Sequence, residues 1–204
     1  MISQLDIIVC GIGGQGIVLA NEIISTVFMQ KGYDLKSTDI IGIGQRGGSV
    51  ISHIRIGKNI LSPLIKAKSA DMVIAFEKYE ALRCYDYLKT EGLLITDKEA
   101  IIPNSVEMGL NEDIEIEMIF EALPCNKTIV DTKALLKLQK LDMKFANSCV
   151  VGALSKHIEV EEACWLEAIK RVVPSQSYEK NIMAFREGRK ATSLKGEGFD
   201  NGFK

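Results

Sequence analysis

Histidine is scarce in this sequence, and charge of either sign is never in long supply. Its two histidines, His53 and His157, have no cysteine or carboxylate near them at metal-ligand spacing, so both are expected to be structural. The five cysteines, Cys10, Cys84, Cys125, Cys149 and Cys164, form no CxxC pair, which excludes a zinc ribbon, a dithiol redox motif and a ligand run for an iron–sulfur cluster. They stand among Val, Ile, Leu and Ala and are expected to be reduced thiols acting as small apolar residues. No apolar run approaches the roughly 18 residues that cross a bilayer, and the amino terminus has no basic segment leading to a cleavage site. Twenty-five basic residues oppose 27 acidic ones, for a net charge of −2, which argues against nucleic acid and anionic membrane as partners. A P-loop, a nucleophile elbow and a carboxylate pair are also missing. These absences predict a soluble, cytoplasmic chain with no catalytic residue and no metal ligand of its own.

What is present is one sizeable apolar core. At 204 residues and 47% hydrophobic content, the chain is expected to form a single α/β domain over residues 1–190, with a polar, glycine-rich tail at 191–204. Leu5 to Cys10 reads as a strand, Gly14 to Lys31 as a helix stopped by Gly32, and Tyr33 to Thr38 as a second strand. "SVISHIRIG" (49–57) alternates as a third. The connection into it is too short for a helical crossover, so antiparallel pairing is open and the mostly parallel sheet has room to be mixed. Further strands are expected at 70–76, 92–97 and 127–132, with a helix at 77–90. Residues 114–120 fit strand or helix equally, and a helical region follows from Thr132 to Gly188. The predicted fold is Rossmann-like α/β with a helical C-terminal part.

Chemistry concentrates in two glycine clusters. "CGIGGQG" fits GxGxxG at Gly11, Gly13 and Gly16, directly after a strand and opening a helix, the setting in which backbone N–H groups and the helix dipole hold a phosphate. A dinucleotide site would add an acidic residue about 20 positions on. Lys36 stands there instead, Asp39 comes late, and Asp34 lies at the wrong end of the strand, which weakens the alternative of a free-standing NAD(P)- or FAD-binding oxidoreductase. The second cluster, "GIGQRGG", leaves the second strand on the same rim as the first. There Arg46, flanked by Gly47 and Gly48, offers a planar fork of donors to a phosphate or carboxylate. Glu80 and Arg83 are expected to form an i,i+3 helical ion pair.

The blocks "GIGGQGIVLANEI", "GQRGGSVISHIRIG", "SPLIKAKSADMVIAFEKYEALR", "NSCVVGAL" and "NIMAFREG" occur in an order that resembles the gamma-domain family of 2-oxoacid:ferredoxin oxidoreductases, and most of all its indolepyruvate-specific branch. The resemblance covers residues 5 to 188. It implies an accessory subunit in the oxidative decarboxylation of a 2-oxoacid, indolepyruvate or another arylpyruvate, to an acyl-coenzyme A. It also implies a larger catalytic partner carrying thiamine diphosphate and iron–sulfur clusters, and ferredoxin reached through the complex. Gly11, Gly13, Gly14, Gln15 and Gly16 match the first family signature, and Gln45, Arg46, Gly47 and Gly48 the second. These nine are the expected cofactor-binding residues, with coenzyme A, the thiamine pyrophosphate or the partner subunit as the group bound. Ile41, Gly42 and Ile43 replace the His-Gly-Met that usually leads into the second signature in aryl-specific members, so phenylpyruvate, phenylglyoxylate and aliphatic 2-oxoacids stay open as substrates.

Overall fold

A computed structural model describes residues 3–42, 47–112 and 114–191. Six strands form one sheet in the order β2-β3-β1-β4-β5-β6, namely β1 (Gln4–Ile12), β2 (Asp34–Ile41), β3 (Ser49–Gly57), β4 (Ala70–Ala75), β5 (Leu88–Asp97) and β6 (Asn126–Val130). Strands β1, β4, β5 and β6 run parallel, while β3 is antiparallel to both of its neighbours, β1 and β2. The sheet is therefore mixed, as the short β2–β3 connection allowed.

The central strand β1 reads as an unbroken apolar run because both of its faces are covered. Leu5, Ile7 and Val9 enter one core, and Ile8 and Cys10 enter the other. The first core is closed by helix α1 (Ile17–Gln30) together with α6 (Ala146–Leu154), α7 (Glu162–Val172) and α8 (Tyr178–Ala191). The second lies under α2 (Lys78–Cys84) and α4 (Ile116–Ala122). A four-residue helix, α3 (Asn104–Glu107), and α5 (Thr132–Leu138) complete the described α-helices.

Several boundaries differ from those expected. The helix predicted for 77–90 ends at Cys84 and continues as a single 3-10 turn over Tyr85–Tyr87. Strand β5 then begins at Leu88 rather than at residue 92. Gly92 does not interrupt that strand, because the Leu88 side chain folds over it and leaves no room for a Cβ, whose nearest neighbour would lie 2.5 Å away. The ambiguous 114–120 segment is helical from Ile116, and α8 runs one residue past the predicted domain end, to Ala191. The rest of the predicted tail lies outside the described residues.

The helices α6 and α8 approach unusually closely. A Cβ on Gly152 would stand 1.9 Å from the Phe185 carbonyl oxygen, and one on Gly188 would stand 1.8 Å from that of Cys149. Polar clamps hold both ends of this crossing: Ser148 Oγ donates to Asn181 Oδ1 at 2.7 Å, and Arg189 donates to the Ser155 carbonyl at 2.8 Å.

Candidate functional site

Because β1 and β2 both run opposite to β3, their carboxyl ends share one rim of the sheet. Gly13 N–H donates to the Gly48 carbonyl at 2.9 Å, so the first glycine loop is bonded directly to the last residue of the second cluster. Gly48 thus shares the rim with the first loop, whereas Gln45 and Arg46 lie outside the described residues.

Within the first loop the expected positions divide by role. Gly11 is enclosed, since a Cβ there would meet Gln15, Phe76 and Ile17 between 2.6 and 3.2 Å away. Gln15 spends its amide on the backbone: Oε1 accepts from Ile12 N–H at 2.7 Å and Nε2 donates to the Phe76 carbonyl at 3.3 Å. Its side chain thus fixes the loop to the end of β4 instead of reaching outward. Gly14 faces open space, with nothing within 4 Å of the point a Cβ would occupy. Gly16 caps α1 with φ 82° and ψ 31°, a left-handed conformation that costs a residue with a side chain about 1 to 2 kcal/mol. The N-terminus of α1 receives no side-chain cap among the described residues and has no acidic residue in its first turn. Its leading N–H groups thus keep the arrangement that binds an anion.

Asp39, the late candidate for a ribose contact, is already engaged. Its Oδ1 accepts from Asn21 Nδ2 at 3.0 Å and from the Ser52 hydroxyl. Those bonds tie β2 to α1 and β3 and give the carboxylate a structural part.

Sequence reasoning missed the wall opposite the loops. A pocket of about 220 Å³ is bounded by Gly47, Gly48 and Ser49 on one side and by Glu77, Glu80 and Arg83 on the other, with Asn104 also in its lining. Glu80 and Arg83 do pair, at 3.4 Å, but this is more than a surface helical contact: Glu80 is buried and also accepts from the Ser49 hydroxyl. The pair thereby joins α2 to the residue that follows the second glycine cluster. No local signal links positions 49 and 80, whose meeting depends on β1 lying between β3 and β4.

Glu77 is fully buried and works as the N-cap of α2, accepting from Tyr79 N–H at 2.9 Å and from Glu80 N–H; Ile101 N–H adds a third bond at 3.2 Å. Burial raises its pKa, and these N–H groups oppose the rise. With the folded pKa above the unfolded one, the group's contribution to stability is complete below the unfolded value and is lost as pH rises through the folded value. Urea unfolding at stepped pH should accordingly show wild type losing ground against Glu77→Gln as pH rises from about 4 toward neutrality. A difference that stays flat across that range would show that the carboxyl titrates alike in both states.

Both histidines make internal hydrogen-bond contacts. His53 is buried, its Nδ1 accepts from Ile65 N–H at 3.1 Å, and it stands edge-on to Tyr87, while His157 meets Thr128 Oγ1 at 3.3 Å. Burial lowers both pKa values. All five cysteines are free thiols, and burial pushes Cys149 up to about 12. Among the described residues no group of three or more His, Cys, Asp or Glu side chains could hold a metal ion, and no helix is long and apolar enough to cross a membrane.

Comparison with known proteins places this geometry. Residues 6–191 match the pyruvate ferredoxin/flavodoxin oxidoreductase family. The indolepyruvate oxidoreductase subunit IorB of Thermococcus kodakarensis is 31% identical over 193 residues, covering 92% of this chain and 96% of the relative. The fold recurs in the gamma subunit of a keto/oxoacid ferredoxin oxidoreductase from Geobacter sulfurreducens, with TM-score 0.70, 20% identity, and coverage of 94% and 99% of the two chains. It recurs also in a 2-oxoglutarate:ferredoxin oxidoreductase from Magnetococcus marinus, with TM-score 0.73 and 18% identity; 96% of this chain is covered, but it spans only 32% of that longer one. A free-standing nicotinamide or flavin oxidoreductase finds no support in these matches. A glycine-built rim on a mixed sheet, in a chain whose family match runs over residues 6–191, leads to one assignment: the chain belongs to the pyruvate ferredoxin/flavodoxin oxidoreductase family, among its small gamma-type subunits.

Proposed function

We propose that this chain serves a cytoplasmic 2-oxoacid:ferredoxin oxidoreductase in which a larger subunit carries thiamine diphosphate and the iron–sulfur clusters, and that indolepyruvate or another arylpyruvate is the substrate. The reaction releases carbon dioxide from the 2-oxoacid, transfers the acyl group to coenzyme A and passes two electrons to ferredoxin. The substrate class is supported by the relative named for indolepyruvate. The observation that carries the chain's own role is the Gly13–Gly48 bond, which sets two glycine loops around an uncapped helix N-terminus.

That rim suits a phosphate or pyrophosphate group, of coenzyme A or of the thiamine cofactor. The open face at Gly14 leaves room for it, and the N–H groups at Gly16 and the first turn of α1 would hold it. Coenzyme A, when bound, supplies the thiol that accepts the acyl group. Gln15 keeps the first loop rigid, and the Ser49–Glu80–Arg83 chain keeps the second in place. Arg46 and Gln45 complete the proposed set through their position beside Gly47 in the sequence.

The purified chain alone is expected neither to decarboxylate 2-oxoacids nor to reduce a viologen dye, and activity should return when the larger subunit is added. Turnover by the isolated chain, free of the partner, would rule out an accessory role.

A further inference from the structure

The segment from Glu99 to Asn126 contains seven acidic residues and no lysine or arginine. It is also the densest run of exposed large apolar side chains among the described residues, with Met108 73%, Leu110 74% and Met118 62% exposed, and Ile101, Ile102 and Ile119 exposed as well. Apolar side chains shown together in this way mark an interaction face. The segment is held firmly from beneath. Phe120 is buried in the second core, the buried Lys78 ammonium pairs with Glu117, and Lys127 Nζ donates to the carbonyls of Phe120, Glu121 and Leu123 at 3.0, 2.8 and 3.0 Å. The lysine thus satisfies the last carbonyls of α4 and fixes the helix with Met118 and Ile119 outward.

We propose that this α3–α4 face is where the larger subunit docks, through an apolar ridge bordered by lysine and arginine. The inference rests on the reading of the chain as part of a complex. A second copy of this chain is disfavoured as the occupant, because a two-fold contact would bring two acidic faces together. Position supports the larger subunit, since Ile101, Pro103, Asn104 and Ser105 of the same segment line the pocket whose far wall is the second glycine loop. A subunit seated on this face closes the pocket, so that a group bound there lies between the two chains.

The test uses the full chain and its larger subunit, with affinity measured by titration and size by chromatography. Two variants are compared with wild type, the apolar triple Met108→Ser, Leu110→Ser, Met118→Ser and the charge reversal Glu112→Lys, Glu115→Lys. The triple variant should bind the larger subunit roughly 100-fold or more weakly while the lone chain melts as wild type does, since its altered side chains are already exposed. The charge reversal should slow association and remove its sensitivity to salt. Binding within about threefold of wild type by both variants would overturn the proposal. So would a lone wild-type chain that dimerises through this face and turns monomeric in the triple variant. Should the triple variant unfold, the charge reversal alone decides, because its two positions are solvent-exposed. Failure of the wild-type chain to bind the larger subunit at all would instead defeat the reading of the chain as a subunit.

Discussion

Gly188→Ala and Gly152→Ala are each expected to leave little soluble, folded protein. Both added methyl groups would press into a carbonyl oxygen of the facing helix, at 1.8 and 1.9 Å, and backbone cannot swing aside as a side chain end can. The helices would have to separate, opening a crossing lined by Cys149, Ala153, Ala184 and Phe185, all buried in the main core. Overpacking typically costs about 1 to 3 kcal/mol and occasionally more; with backbone as the obstacle, a loss of about 3 kcal/mol or more is expected here. That is a large part of the roughly 5 to 15 kcal/mol that keeps a domain folded. Urea midpoints and soluble yield provide the measurement, with Met183→Ala on the exposed side of α8 as the control that should stay close to wild type. Alanine at 188 with a wild-type midpoint would mean that the helices tolerate a wider spacing than the structure has.

Gly16→Ala should produce the second large effect, and on two separate readouts. Its left-handed φ strains any residue with a side chain, and the new methyl would sit 2.4 Å from Nδ2 of the buried Asn147. Together these are expected to lower stability by about 2 kcal/mol. In the reconstituted complex, the shifted loop should raise the Michaelis constant for coenzyme A or thiamine diphosphate at least about tenfold, whichever phosphate the rim holds. Adding Asn147→Ala removes the collision but not the backbone strain, so the double variant should recover only part of the stability. Unchanged constants for both ligands, in a complex that assembles normally, would take the phosphate away from this loop.

These two sites show where sequence suffices and where it stops. The first glycine loop is legible because strand, turn and helix are contiguous, and the shared rim follows from chain direction alone. Residue 16 can be picked out from the motif itself, but its contact with Asn147 cannot, since α6 arrives about 130 residues later and only packing decides what it touches. Gly152 and Gly188 sit in helices, where composition reads glycine as a weakness; their purpose appears only when the two helices are placed together. The Glu80–Arg83 spacing predicts the ion pair correctly but hides the Ser49 contact that makes it part of the pocket. Gly92 misleads in the opposite direction, because a glycine kept for a neighbouring leucine resembles one that breaks a helix from the strand after it.

The placement of α7 over α1 has a consequence for how the chain is made. The buried side of α1, with Ile23, Ile24, Val27 and Phe28, packs in the finished fold against β1, β2 and β3 and also against α6 and α7, the latter bringing Trp165 and Ile169. Those covering residues leave the ribosome about 130 residues after α1 does, a delay on the order of ten seconds at typical elongation rates. During that interval the β1–α1–β2–β3 unit can already pair its strands, because all of its strand partners, β4 included, precede α7 by many residues. The part of α1 that α6 and α7 cover nonetheless stays open to solvent until those helices emerge, which is expected to make the nascent chain, unlike the finished one, a client for a chaperone.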